Sequence, residues 1–296
     1  MSYWLAAVIG YFFLGLNGVF DKFLLDKTVK QPAAFGFYVG ILAPVALVLA
    51  PFGFQMLTGK FIAIALIAGF CFTWATYFYY KAIKQTSISR IMPLVGGMVP
   101  LFTLGLAYFL LAERLSSTQM FAFILLVAGA ILITYKPESV GWQRKMFLNA
   151  IIASVLFSLS FTLSKIIYEE SNFVSGLIWT RFGVFFASLS FLLSKANRRH
   201  ILAAPAQTNN KGKLLYYATH GLGAIGGICQ NYAVSIGSVT IVNALQGTQY
   251  VFVLGLSSFL SIYFPKVLKE NITASILVQK ITAIVLISIG LYYLSI

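Results

Sequence analysis

Apolar residues are concentrated in ten long segments of the chain, and most charged residues lie in the short connections between them. A helix that crosses the hydrocarbon core of a bilayer needs about 20 mostly apolar residues. The pattern therefore predicts ten transmembrane helices, here numbered segments 1 to 10. They cover residues 3–21, 33–52, 61–80, 91–111, 117–135, 147–166, 173–194, 213–234, 239–263 and 276–295.

The length of these segments favours helices over a β-barrel. Barrel strands need only about 10 residues and alternate apolar with polar positions, whereas these runs are longer and apolar on all sides. A helix also satisfies its own backbone hydrogen bonds, as a lipid environment requires. The connections are too short to hold a separate soluble domain, so the sequence predicts an all-α membrane protein.

Composition and charge agree with this class and exclude another. The 296 residues are 59% hydrophobic and 9% charged, whereas soluble domains are about half apolar and a quarter charged. The net charge of +14 comes from small groups of Lys and Arg between the apolar segments. Nucleic-acid binding needs a basic patch on one water-facing surface, so we expect membrane lipid, and no nucleic acid, as the anionic partner.

The basic residues also indicate an orientation. Most of the 21 Lys and Arg residues lie in odd-numbered connections, whereas the even-numbered ones hold only Lys60 and Arg114. Cytoplasmic loops carry the excess of Lys and Arg. The charge count therefore predicts odd-numbered connections in the cytoplasm and both termini outside.

The two halves of the chain repeat each other weakly. A shift of 143 residues aligns the end of segment 1 with the end of segment 6, and Gly40 with Gly183. A shift of 151 aligns Ala82 and Gly96 with Ala233 and Gly247. Five helices per half make the second copy enter the membrane upside down, as in transporters with inverted repeats. We expect two five-helix repeats, residues 1–137 and 138–296.

Several motifs in the first half resemble an EamA-type domain of the drug/metabolite transporter superfamily. They are residues 81–89 (KAIKQTSIS), Pro93, Pro100 with the two residues after it, the run Ala112-Glu113-Arg114-Leu115-Ser116, and residues 126–130 (LVAGA). The second half departs from this pattern: Phe264-Pro265 stands where Glu-Arg would fall, and Ala244 replaces the counterpart of Pro93.

The resemblance implies a secondary transporter or metabolite exporter made of two five-helix repeats. It also implies an integral protein of a bacterial or archaeal plasma membrane, with both termini in the cytoplasm, opposite to the charge count. A monomer and a homodimer both remain open.

Polar residues at membrane depth mark candidate solute contacts, because they are costly in lipid. Arg181 lies near the middle of segment 7, far from the carboxylates of Glu169 and Glu170. Substrate binding and a structural hydrogen-bonding role are equally open for it. Further polar candidates are the amides of segments 8 and 9: Gln230, Asn231, Asn243, Gln246 and Gln249.

Aromatic and proline residues complete the candidate site. Trp74 and Tyr77 lie deep in segment 3 and are predicted to wall a cavity, whereas Tyr79 and Tyr80 are better suited to an interfacial aromatic belt. Pro93 and Pro100 are predicted to loosen segment 4 for gating. An interfacial aromatic belt is the simpler alternative for these aromatic residues as well.

Cofactor binding, metal binding and catalysis have little support in the sequence. Residues 221–226 fit G-x-G-x-x-G, but they lie in an apolar segment with no acidic residue about 20 positions later. We therefore predict no cofactor, no metal and no catalytic residues. The seven acidic residues lie in connections or at segment ends, which disfavours proton-coupled antiport through a membrane carboxylate. A lipid or lipid-linked sugar flippase and a non-transporting scaffold stay open.

Overall fold

The computed structural model describes residues 2–27, 31–85, 88–135, 144–203, 210–263 and 274–295. Within these ranges the chain is helical and contains no β-strand. The helices are α1 (Tyr3–Lys27), α2 (Pro32–Ile41), α3 (Gly59–Gln85), α4 (Ile88–Leu110), α5 (Ser117–Thr134), α6 (Arg144–Glu170), α7 (Phe173–Ser190), α8 (Lys195–Ala203), α9 (Asn210–Ile236), α10 (Val239–Ala244), α11 (Gln246–Tyr263) and α12 (Ala274–Ser295).

Helical elements thus cover each of the ten predicted segments, although three segments are composite. Segment 2 continues from α2 into a 3₁₀ helix, Ala43–Phe52, which ends at Gly53 with φ of 113°. Pro44 explains the change, because proline lacks the N–H that an α-helix would bond to Gly40. Segment 7 adds a short 3₁₀ turn after α7, and segment 9 is divided between α10 and α11 at Leu245.

Six stretches in the described ranges are long and apolar enough to cross a membrane: Pro32–Phe52, Gly59–Gln85, Arg144–Glu170, Phe173–Leu193, Val239–Leu256 and Val278–Ser295. Three shorter apolar stretches lie in α1, α4 and α5. These helices make the chain an integral membrane protein.

One connection differs from the prediction. No apolar segment was predicted between segments 7 and 8, yet residues Lys195–Ala203 form α8. Ile201 is buried in a cluster with Phe35 and Phe191, and the Tyr38 hydroxyl donates to the Ile201 carbonyl at 2.8 Å. Tertiary contacts with α2 therefore hold a helix that hydropathy alone does not reveal. Phe264 and Pro265, noted in the sequence, lie outside the described residues.

Helix packing relates the two halves of the chain. α3 packs along α6, and α1 packs along α9 in the corresponding positions of the two halves. α4 contacts α6 as α11 contacts α1, and α5 packs against α12. Each of these contacts joins a helix of one half to a helix of the other, so the halves form a single interleaved bundle.

Glycines allow the closest helix contacts. A Cβ atom at Gly69 of α3 would collide with the backbone of Thr180, Gly183 and Val184 in α7. At Gly10 of α1 it would come within 2.9 Å of the Gly226 carbonyl oxygen and the Gln230 nitrogen in α9. Small residues let transmembrane backbones approach in this way.

The loop after α4 is tied to the second half of the chain. Ala112 takes a left-handed conformation with φ of 52°, and the Glu113 N–H donates to the Ala107 carbonyl at 3.1 Å, as in a Schellman helix end. The Glu113 carboxylate accepts a 2.6 Å hydrogen bond from Ser238, which itself caps the start of α10. Glu113 therefore holds the start of α10.

Candidate functional site

Two phenylalanines of α6 face the interior and are nevertheless accessible. Ile152 and Val155 lie on the exposed face of α6, and Phe157 and Phe161 lie roughly half a turn around the helix from Ile152. Inward residues beside them, such as Ser158, are buried, but both phenylalanine rings are only half-buried. Accessible surface on the inner face of a packed helix indicates an internal space.

The same reasoning applies to α3 and α7. Phe72 lies nearly opposite the exposed Ile67 on α3, and Arg181 lies nearly opposite the exposed Phe186 on α7. Both inward side chains are half-buried. On α9, Gly227 is half-buried and lies opposite the exposed Ile225. We infer a space between these inward, half-buried residues and call it the central cavity; its inferred lining is Phe72, Phe157, Phe161, Arg181 and Gly227.

Arg181 supplies the cation of the central cavity. Its guanidinium carbon lies 5.8 Å from the centre of the Phe72 ring, and a Cβ atom at Gly227 would lie 3.5 Å from Nη2. Among the side chains that the structure describes, no carboxylate pairs with the guanidinium and no group accepts a hydrogen bond from it. Arg181 is eight residues into α7, which is about 12 Å along the axis, so it lies at mid-depth.

Tyr168 and Asn231 lie between Arg181 and the even-numbered connections. The Tyr168 phenol is close enough to Arg181 for an electrostatic interaction and donates a 2.9 Å hydrogen bond to Asn231 Oδ1. Asn231 Nδ2 donates to the Gly227 carbonyl at 2.8 Å. The rings of Phe173 and Tyr232, 5.4 Å apart, pack next to them. These side chains fill the bundle on this side of Arg181.

The other amide side chains predicted from the sequence do not contact Arg181. Gln230 Nε2 donates to the Tyr11 hydroxyl at 3.1 Å, and Gln249 Nε2 donates to the Leu14 carbonyl at 3.3 Å. Asn243 is buried in α10, where Nδ2 donates to Val239 and Oδ1 has no partner among the described residues. Gln246 is half-buried at the first position of α11.

The break at Leu245 explains why these amides do not form one stripe. Asn243 lies on α10, and Gln246 and Gln249 lie on α11. The Tyr11 hydroxyl donates at 2.9 Å to the carbonyl of Val242, four residues before the start of α11. Tyr11 thus supports the backbone at the break and joins it to α1. Only Asn231 is linked to Arg181, through Tyr168 and Gly227.

Trp74 and Tyr77 lie on a different side of α3 from Phe72, the residue of α3 that contacts Arg181. Their rings are 5.3 and 5.5 Å from Phe191, on the side of α3 that also carries the exposed Phe70. They form an aromatic cluster with α2 and the end of α7. α4 runs without a break past both Pro93 and Pro100, so the gating role of these prolines remains a prediction.

Sequence reasoning missed Phe72 and Tyr168 as neighbours of Arg181, and it missed Phe157 and Phe161 next to Phe72. One signal was available for Phe72. It lies nearly half a turn away from the Phe70–Trp74 face of α3, so an outward position for that face turns Phe72 inward. Assigning faces to α6 needed the contacts of Phe157 with Phe72 and Tyr79, which join residues far apart in the sequence.

Comparisons with known proteins agree with this architecture. Residues 1–135 match the EamA-like transporter family. A comparison with curated proteins gave no match. A solved structure titled "Crystal structure of protein" superposes with a TM-score of 0.64 at 17% sequence identity, covering 98% of this chain and 94% of the other. At that identity the likeness shows a shared fold.

Proposed function

We propose that the protein is a secondary transporter or exporter. The premise is that the first half of this chain belongs to the EamA-like transporter family of the drug/metabolite transporter superfamily. The protein's solute is a small anionic or zwitterionic metabolite, and its place is the plasma membrane. The family is one of transporters of small solutes; the class of solute is inferred from the central cavity.

The proposed architecture is ten transmembrane helices in two inverted repeats. The helix contacts support it, because α3 with α6 and α1 with α9 are equivalent pairs under an exchange of the halves. The break between α10 and α11 supports it as well, since discontinuous membrane helices occur at the solute sites of such transporters.

Arg181 is the observation that carries the proposal. An unpaired cation in a membrane interior is costly, and ionisable residues there mark solute or ion paths. Packing against Phe72 offsets about 0.5–2 kcal/mol of that cost, but it satisfies none of the guanidinium N–H groups. A solute carboxylate or phosphate supplies both the opposite charge and two acceptors in the geometry that a guanidinium binds best.

An asymmetry between the halves supports a proposal of alternating access. Gly69 and Gly183 bring α3 and α7 into backbone contact. Gly40 is the counterpart of Gly183, yet it packs against Ser188 of α7, and α9 meets α2 at the Phe35 and His220 rings, 5.4 Å apart. We infer that the structure represents a state closed towards the even-numbered connections, where Tyr168 lies.

The placement of the acidic residues favours facilitated diffusion or exchange. Glu113 bonds Ser238 near the start of α10, and Glu169 lies 3.5 Å from Lys165 at the end of α6. Neither carboxylate contacts Arg181 in the described part of the chain. These two residues therefore do not place a proton carrier beside the solute. Transport is then driven by the gradient of the solute or of a counter-solute.

The test is uptake into proteoliposomes by the wild-type protein and by Arg181→Gln. A panel of amino acids, monocarboxylates, sugar phosphates and nucleotides identifies the solute class. Loss of a charge-assisted pair predicts a fall in kcat/KM of at least about tenfold. Arg199→Gln is the matched control, because Arg199 is exposed on α8 and should leave uptake within about twofold. Equal uptake by both variants, with normal folding, would remove Arg181 from the path.

A further inference from the structure

Three phenylalanine rings form an aromatic wall that starts beside Arg181 in the central cavity. The guanidinium carbon lies 5.8 Å from the Phe72 ring centre, and the Phe72 and Phe157 rings are 5.6 Å apart and nearly perpendicular. Phe157 and Phe161 are 6.4 Å apart and nearly parallel. The wall therefore begins beside the cation and continues along α6.

The rings of this wall are not consumed by packing against each other. Phe72, Phe157 and Phe161 face inward and remain half-buried, whereas a packed core leaves few voids larger than a water molecule. Their parallel and perpendicular orientations present both ring faces and ring edges. Aromatic solutes pack on such surfaces in offset-stacked or edge-to-face arrangements.

Arg181 offers the solute one positive charge. Lys165 of α6 is engaged elsewhere, because its Nζ lies 3.5 Å from Glu169 Oε1 and 3.4 Å from the Ser235 carbonyl. Arg181 has no such partner among the side chains that the structure describes. A solute with one carboxylate matches the single charge of Arg181.

We infer that the central cavity binds a monocarboxylate bearing one flat aromatic ring, with the carboxylate on Arg181 and the ring on Phe72, Phe157 and Phe161. This inference rests on the proposed transport function and names its solute class. The acid can carry an amino group or lack one, because the aromatic wall recognises the ring and the guanidinium recognises the carboxylate in either case.

The experiment uses three probes of similar size on the full-length protein in proteoliposomes: 3-phenylpropionate, 3-cyclohexylpropionate and benzylmalonate. Inhibition of a wild-type exchange of 3-phenylpropionate gives the apparent affinity of each. Aromatic packing predicts that 3-phenylpropionate binds about three- to tenfold tighter than the cyclohexyl acid. Benzylmalonate, a dianion, should bind more weakly than 3-phenylpropionate. Phenylalanine in the same assay reports the effect of an amino group.

Two variants connect the preference to the wall. Phe157→Leu should reduce the aromatic preference to less than about twofold while the cyclohexyl acid keeps its affinity. Phe186→Leu is the matched control, because Phe186 is 53% exposed on the outer face of α7; it should leave the preference unchanged. Thermal unfolding of each variant shows whether folding is intact.

The outcomes separate this inference from the transport function. Exchange of aliphatic and aromatic acids at equal affinity, or a preference that survives Phe157→Leu, overturns the aromatic site and leaves a transporter of anions. Uptake of none of the acids, with solutes of another class transported, overturns the inference alone. Absence of uptake for every solute of the wider panel overturns the transport function and the inference with it.

Discussion

The hydrogen bonds of Tyr11 at the helix break give the most quantitative prediction. Its hydroxyl donates to the Val242 carbonyl at 2.9 Å and accepts from Gln230 Nε2 at 3.1 Å. Tyr11 is 1% exposed and Gln230 is 9% exposed, so water cannot readily replace either bond. The substitution Tyr11→Phe keeps the ring and removes only the hydroxyl.

The magnitude follows from the two lost bonds. Side-chain hydrogen bonds in membrane proteins contribute about 0.6–1.7 kcal/mol each, so Tyr11→Phe should lower the free energy of unfolding by about 1–3 kcal/mol. The assay is unfolding of the purified protein in mixed detergent micelles with increasing SDS. Tyr292→Phe is the control, because Tyr292 is 63% exposed, and it should change stability by less than about 0.5 kcal/mol.

A double-mutant cycle sharpens the test. If Tyr11 and Gln230 share the bond described, the combined Tyr11→Phe and Gln230→Leu protein should be more stable than the sum of the single effects predicts, by about 0.5 kcal/mol or more. Tyr11→Phe with the stability of Tyr292→Phe would show that the hydroxyl does not support the break.

Three further substitutions test packing and loop geometry in the same unfolding assay. Gly69→Ala should destabilise the protein by about 1–3 kcal/mol, because the added Cβ collides with the α7 backbone. Gly105→Ala is the control and should be neutral or slightly stabilising, because its Cβ would have nothing within 4 Å. Equal effects of the two substitutions would contradict the close contact at Gly69. Ala112→Gly should stabilise by about 0.5–1 kcal/mol, because φ of 52° strains a residue with a Cβ; destabilisation would refute this. Glu113→Ala should cost about 1 kcal/mol through the lost bond to Ser238, and this cost should vanish when Ser238 is already alanine.

Much of the fold was readable from the sequence because lipid imposes a simple rule. Each predicted segment contains helical elements, since a membrane segment must satisfy its backbone internally. The helix α8 was missed because its stability depends on contacts of Ile201 with α2. The break at Leu245 was missed because no proline or glycine occupies that position, although Pro44 does mark the change in segment 2.

The site was only partly predictable. Arg181 and Asn231 were identified from polarity at membrane depth, and the structure links them through Tyr168 and Gly227. Trp74 was favoured for its size and depth, but hydropathy does not give the rotation of a helix that is apolar on all sides. The inward positions of Phe72 and Phe157 depend on contacts between α3 and α6, which single-sequence patterns do not encode.

The central claim is that Arg181 binds the anionic group of a transported solute at mid-membrane. The most direct measurement compares the best-transported carboxylate of the panel with its primary amide, in wild type and in Arg181→Gln, by counterflow into proteoliposomes. The wild type should prefer the carboxylate by at least about tenfold, and Arg181→Gln should lose that preference while still transporting the amide. A carboxylate preference that is unchanged in Arg181→Gln would contradict the claim.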